Sequence, residues 1–448
     1  MSTKSFKLPV GRLEEGFQES KPLYTPAEAM AEANRCLYCA DAPCIKACPT
    51  DIDIPTFIRK IATDNVLGSA KTILDSNLLG YSCGRVCPVE VLCVGDCVYN
   101  AWGRPPINIG RLQRYATDAV MRKQPLSSLY QAKPPTGKRV ALVGAGPASI
   151  TAAGLLALEG HQTVIFERKD IPGGLNSLGI APYKMLSGHA LDEIDWILTL
   201  GNIELRTGVE VTRDASRSDQ VSTDTLLREY DAVFLGLGLG GDSMLGLPEE
   251  EGTGVYGATE LIESIKHDAG FRIHASHQRA LVIGGGNTAI DIAHELILLG
   301  VRDVAMVYRR GAEDMSGYDH EIEYARKHGV RLIEHRRPRG FVRSRTGQLT
   351  GLEVGSTHAG MLESVEVLPT DLVAVAIGQE RLARLATSFQ GVAVDEQGRI
   401  VVDPVTQRTG HPRVWSGGDC VNGGKEVVNA VQEAKRAVQD MRHALAES

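Results

Sequence analysis

Arg139-Val-Ala-Leu-Val143-Gly144-Ala-Gly146-Pro147-Ala148-Ser149 joins an apolar run to a glycine turn and the start of a helix that should run to Glu159. A second apolar run, Thr163 to Phe166, follows, which completes the strand, turn, helix and strand of a dinucleotide-binding βαβ unit. Gly144 permits the tight turn. Gly146 lets a pyrophosphate approach the helix N-terminus, whose amide groups and dipole favour an anion. Ser149 stands where the pattern has a third glycine, a position that mainly controls helix-to-strand packing and accepts a small residue. Glu167 ends the second strand, where a carboxylate can accept both ribose hydroxyls, so this unit is assigned to FAD.

The same grammar recurs at Ala280 to Ile283, Gly284-Gly-Gly286-Asn287-Thr288-Ala289, a helix to Leu299, and Val304 to Val307. Two units imply two nucleotides. After Val307 the chain reads Tyr308-Arg309-Arg310, with no acid at the ribose position, and two guanidinium forks suit a 2′-phosphate. This favours NADPH over NADH. The runs Asp231 to Gly236 and Asp371 to Gly378 read as buried strands meeting at a domain crossover, which makes the second unit an insertion in the first. Val414-Trp-Ser-Gly-Gly418-Asp419 then returns as the last strand and loop of the first domain. Asp419 can hold a ribityl hydroxyl while the helix opening near Val427 and Val428 faces the flavin's carbonyl edge. Gly174 and Leu175 can let a flavin lie against backbone.

Ahead of both units, eight of the nine cysteines lie between Cys36 and Cys97. They form Cys36-x2-Cys39-x4-Cys44-x3-Cys48-Pro49 and Cys83-x3-Cys87-Pro88 with Cys93 and Cys97. All-sulfur sets at this spacing select an iron–sulfur cluster or zinc, and disulfides are a further reading. Cys420, the ninth, reads as a buried small hydrophobe. The segment to about Lys123 lacks strand-like alternation, and Thr25-Pro26-Ala-Glu28 opens a helix with a cap, a proline and an early acid. The fold expected is therefore α/β: an N-terminal all-α iron–sulfur domain (1–123), then two nested Rossmann-like domains. The FAD-binding domain takes 138–252 and 369–448, and the NAD(P)H-binding domain takes 253–368. A Pro- and Lys-rich linker near 131–137 joins them to the first domain.

With 448 residues and 43% hydrophobic content the chain can bury full cores. A net charge of -7, with no basic tract, points to neither nucleic acid nor an anionic membrane as partner. No signal-like or transmembrane run is seen, so a cytoplasmic location is expected. A redox disulfide pair in the nucleotide domains and a Ser-His-Asp hydrolase elbow are both missing from the sequence.

Cys36-Leu-Tyr-Cys39-Ala-Asp-Ala-Pro-Cys44, Leu92-Cys93-Val-Gly-Asp-Cys97, Pro106-Ile-Asn-Ile-Gly110 and Gly144-Ala-Gly-Pro-Ala-Ser149 together carry a resemblance. From about residue 20 onward the chain resembles the small subunit of glutamate synthase and, more closely, the N-terminal half of dihydropyrimidine dehydrogenase and its separate bacterial flavin subunit. The resemblance implies two 4Fe-4S clusters. One would use Cys36, Cys39, Cys44 and Cys97; the other would use Cys48, Cys87, Cys93 and Gln113, leaving Cys83 a bystander. It also places Lys184 beside the flavin as a catalytic candidate. Pro147, Ala148, Gly174, Leu175, Val211, Ala376, Gly378, Gly418, Val427 and Val428 are carried over as cofactor positions, with Gly284, Gly286, Asn287, Thr288, Arg309 and Arg310 for the nicotinamide nucleotide. Ser316 and Gly317 depart from the family's basic or proline residues.

The implied function is the electron-input subunit of dihydropyrimidine dehydrogenase, serving an FMN-containing barrel partner that reduces uracil or thymine. The alternatives are a glutamate synthase small subunit, a stand-alone NAD(P)H:ferredoxin-type oxidoreductase, and a non-enzymatic zinc scaffold.

Overall fold

The computed structural model describes residues 6–273, 277–357 and 365–447. Up to Met121 the described chain is helical, beginning with Pro26–Ala33, which carries a complete capping box between Thr25 and Glu28 and a proline in its first turn. Helices Ile54–Ala62, Val66–Ser76 and Ile109–Met121 pack around Gly80–Val86, which is buried almost throughout, with Phe57, Ile58, Ile73 and Leu112 fully buried in the same core. The apolar stripes of the three packing helices fold so cysteine-rich a segment around a shared core.

Two five-stranded parallel sheets follow. The first has the order Val414–Ser416, Ala232–Leu235, Arg139–Val143, Gln162–Glu167, Ile203–Thr207. The second runs Arg331–Ile333, Asp303–Val307, Arg279–Ile283, Leu372–Val375, Val255–Gly257. Central strands such as Ala232–Leu235 and Leu372–Val375 are buried throughout, as strands covered on both faces must be. A three-stranded antiparallel sheet, Arg336–Arg343, Leu349–Ser356 and Val365–Pro369, is appended to the second domain.

One boundary moves. The return to the first domain was placed at 369, yet Leu372–Val375 pairs in parallel with both Arg279–Ile283 and Val255–Gly257. The inserted domain therefore keeps this strand, and the chain crosses back after Val375. Ser149 behaves as its position demands: a Cβ on Gly236 would come within 2.1 Å of its Oγ, so only small groups fit where helix Pro147–Leu158 crosses the strand end. Cys420 lies in the core, 6% exposed.

The helical domain is fastened to the first sheet domain by Glu193, from helix Ser187–Leu198. Its buried carboxylate accepts hydrogen bonds from the Tyr81 and Ser82 amides, at 2.9 and 3.2 Å, in the first turn of Gly80–Val86. Burial pushes its pKa up to about 7. The unfolded chain releases this proton near the ordinary carboxylate value and the folded chain holds it to about 7. Stability should therefore fall as pH rises across that window. Glu193→Gln should flatten this part of the pH profile in chemical denaturation, and an unchanged profile would reject the assignment.

A strap precedes the helices. Leu13 and Phe17 pack against the core of the inserted domain. Arg12 donates to the Lys266 carbonyl at 2.8 Å, and Glu14 accepts from the Ser187 amide at 2.6 Å. Further along, Glu19 pairs with Arg114 at 2.5 Å inside the helical domain.

Candidate functional site

A single cavity of about 1150 Å³ opens where the three domains meet. Its floor is the first glycine turn, with Gly144, Gly146, Pro147 and Ala148, and Glu167 beyond. Gly144 has φ +88°, and a Cβ there would meet the Gly236 carbonyl at 2.5 Å, so glycine is obligatory. No atom lies within 4 Å of a Cβ built on Gly146, which leaves that backbone open to a ligand. Helix Pro147–Leu158 has no side chain capping its first amides, so those donors face the cavity unclaimed. Glu167 accepts from the Ala145 amide at 2.8 Å and the Lys169 amide at 2.9 Å, which fixes the carboxylate against the loop.

Gly174, Leu175, Gly418, Asp419 and Val427 complete the flavin side. Asp419 accepts from the Lys425 amide at 3.2 Å, and burial raises its pKa. Asn287 and Thr288, opening the second nucleotide helix, line the same cavity from across the cleft. That helix too lacks a side-chain cap. These are the features a dinucleotide pyrophosphate requires, twice over.

Other expected positions lie apart from the lining. Gly284 packs against the Ala376 carbonyl, 2.3 Å from where its Cβ would be, so both serve the loop's own geometry. Gly286 caps the second helix, and Gly378 has φ +118° on an exposed turn. Val428 and Val211 are buried in cores, at 2% and 6% exposure. Arg309 and Arg310 are exposed at the end of Asp303–Val307; Arg310 donates to the Tyr308 hydroxyl at 2.7 Å, while among the described residues no side-chain hydrogen bond or ion pair engages the Arg309 guanidinium.

Lys184 lines the cavity, but its ammonium is held by the inserted domain: 2.7 Å from Asp291 and 2.7 Å from Glu321. Burial opposes its charge, yet the two carboxylates outweigh that and raise its pKa. Tyr183 adds a 2.6 Å hydrogen bond to Asp291. A second bridge over the cleft is the Tyr318 hydroxyl, donating to Glu426 at 2.7 Å. Asp291, Glu321, Tyr318 and Glu426 were not found from sequence; each meets a partner more than 100 residues away, and no local motif marks such a pair.

Val86, Pro88 and Leu92 bring the cysteine domain to the cavity wall. Cys36, Cys39, Cys44 and Cys97 surround one apolar pocket with Ile54, Ile58 and Ile107. Among the described residues no group of His, Cys, Asp and Glu is drawn together tightly enough for a lone metal ion. Four thiols about one pocket are the donor set of a cluster. Cys48, Cys87 and Cys93 are buried beside them. The Cys93 thiol is pushed up by burial and by the charges of Cys87 and Cys48. Gln113 donates its Nε2 to the Gly80 carbonyl at 2.8 Å, and among the described residues its amide oxygen has no hydrogen-bond partner. Cys83 is buried next to Cys87, whose thiol its proximity and burial push up. Cys83→Ser should keep the full iron content if Gln113 completes the second set, and loss of half the iron would hand that place to Cys83.

The family model for pyridine nucleotide-disulphide oxidoreductases matches residues 138–434. The chain belongs to that family. A second model, dihydropyrimidine dehydrogenase domain II with a 4Fe-4S cluster, matches residues 12–125 of this oxidoreductase. It is 34% identical over 407 residues to "NAD-dependent dihydropyrimidine dehydrogenase subunit PreT" of Escherichia coli K12, covering 91% of this chain and 92% of that one. It is 32% identical over 434 residues to the "Glutamate synthase [NADPH] small chain" of the same organism, covering 91% and 89%. Among solved structures, "T. acidophilum thioredoxin reductase" matches with TM-score 0.53 and 21% identity over 68% of this chain and 97% of that chain, a likeness of fold. The oxidoreductase thus combines 4Fe-4S, FAD and NAD(P)H binding on an α/β frame with a helical iron–sulfur domain in front. Among the described residues no helix is long and apolar enough to cross a membrane.

Proposed function

We propose that the chain is the electron-input subunit of a dihydropyrimidine dehydrogenase, serving a partner that reduces the 5,6 double bond of uracil or thymine. The observation that carries this reading is the shared cavity. Both nucleotide helices open into it, and Val86, Pro88 and Leu92, neighbours of Cys87 and Cys93, form part of its wall. FAD bound there supplies the step from a two-electron hydride to single electrons, which clusters accept one at a time.

The protein's own groups do the positioning. Gly146 and the uncapped helix amides receive the flavin pyrophosphate, Glu167 its ribose, and Asp419 its ribityl chain. Asn287 and Thr288 receive the nicotinamide nucleotide, and Arg309 is the free guanidinium for a 2′-phosphate. Lys184 and Tyr318 tie the two domains together across the cavity that would hold both nucleotides. Two clusters, on Cys36, Cys39, Cys44 and Cys97 and on Cys48, Cys87, Cys93 and Gln113, lead outward through the helical domain toward an FMN-containing barrel subunit.

The experiment is anaerobic co-purification with the candidate barrel subunit, followed by NADH or NADPH oxidation with uracil added. Uracil-dependent oxidation supports the reading and reports the coenzyme. A second reading, the small subunit of a glutamate synthase, is favoured by the 32% identity that extends over 434 residues. Turnover only with 2-oxoglutarate and glutamine would select it, and cluster-dependent ferredoxin reduction without a partner would select a stand-alone oxidoreductase.

A further inference from the structure

Lys21 is a half-buried residue of the strap, ahead of the first helix and outside every motif. Its Nζ donates to the carbonyl of Cys87 at 2.9 Å, across 66 residues of sequence. Its own carbonyl accepts from Arg114, so the segment is held at both ends of the residue. Cys87 caps the C-terminus of helix Gly80–Val86, where the free carbonyls carry partial negative charge and favour a cation. On either side of Cys87, Val86 and Pro88 line the flavin cavity.

The other charges nearby compensate one another. Arg85 pairs with Asp118 at 2.9 Å and Arg114 with Glu19 at 2.5 Å, and the exposed Arg122 also reaches Asp118 at 3.3 Å, so each of these guanidinium groups has a carboxylate partner. Glu426, toward the cavity, is engaged by the Tyr318 hydroxyl. Among the described residues no carboxylate pairs with Lys21 in an ion pair. Its ammonium is therefore a cation beside this thiol that no ion pair engages, acting against the more distant carboxylate of Glu426.

We propose that Lys21 is an electrostatic positioning residue that raises the electron affinity of the cluster held by Cys87, making it the acceptor that faces the flavin. The inference rests on the reading of Cys87 as a cluster ligand. Adding one electron to a cluster adds one negative charge, and a cation fixed on the backbone of a ligand residue stabilises the reduced form, more strongly where burial limits screening. The carbonyl bond holds the ammonium in place without making it a ligand.

The test is an EPR-monitored redox titration of the full-length, anaerobically purified protein and of Lys21→Met, Lys21→Gln and Lys21→Arg. Glutamine retains a donor for the Cys87 carbonyl but no charge, and arginine retains both. The expected result is a shift of one cluster's midpoint to more negative potential in the Met and Gln variants, with iron and flavin contents unchanged and the Arg variant like the parent. Unchanged midpoints in both neutral variants would overturn the proposal. So would loss of iron from both, which would make Lys21 an anchor of the fold and not of the potential. The underlying ligand reading fails separately: Cys87→Ser with full iron content would remove it whatever Lys21 does.

Discussion

Gly144→Val should yield protein without bound flavin, read directly from the visible absorbance of the purified sample. The residue sits at φ +88°, where a β-branched side chain is strained, and its Cβ would lie 2.5 Å from the Gly236 carbonyl of the neighbouring strand end. The backbone term alone costs about 1–3 kcal/mol. The overlap then moves the loop away from the helix N-terminus that receives the pyrophosphate. Gly146→Val separates the two effects. No atom lies within 4 Å of its Cβ position, so the melting temperature should stay near that of the flavin-stripped parent while flavin is still lost. Flavin retained at parental level in Gly144→Val would overturn the assignment of this turn.

Lys184→Met is expected to cost about 3 kcal/mol in urea denaturation, the lower end of what removal of one member of a buried ion pair costs. Asp291 and Glu321 would be left facing each other in a site where the Lys184 side chain is only 18% exposed. Methionine fills the volume but returns none of the charge. Replacing Asp291 by Leu in the same chain should recover part of the loss, because the two residues act on one interaction and their effects will not add. A full additive loss in the double variant would mean that Lys184 matters for packing and not for its pairing.

Much of the frame could be read from local sequence because local rules govern it. The turn at Gly144, the cap at Thr25 and the buried runs at Ala232 and Leu372 each announce themselves within a few residues. The sheet to which Leu372–Val375 belongs does not. A continuous apolar run reads alike in either parallel sheet, and only its pairing with Arg279–Ile283, some 90 positions earlier, decides. The cysteines show the same division. Cys36, Cys39 and Cys44 are close in sequence, but Cys97 reaches the same pocket only because the helices fold back. The cleft was least legible: Lys184 is singled out through resemblance, whereas its partner Asp291 sits in the middle of the second nucleotide helix, past its glycine turn, and Glu321 on a polar helix, with no local motif at either position. The strap residues Arg12, Glu14 and Lys21 carry no pattern at all, since their meaning is given by carbonyls and amides far along the chain.

The inserted domain begins with Val255–Gly257 and ends with Leu372–Val375, and these two strands are hydrogen-bonded neighbours, Val373 beside Val255. The polypeptide thus enters and leaves this unit side by side at one edge of it. Such a unit is a cassette: two adjacent splice points suffice to exchange it, while the flavin sheet and the cysteine helices keep their own chain contacts. If Tyr308 to Arg310 set the coenzyme preference as proposed, transplanting a relative's unit will alter it while the first sheet domain and the cysteine helices stay as they are.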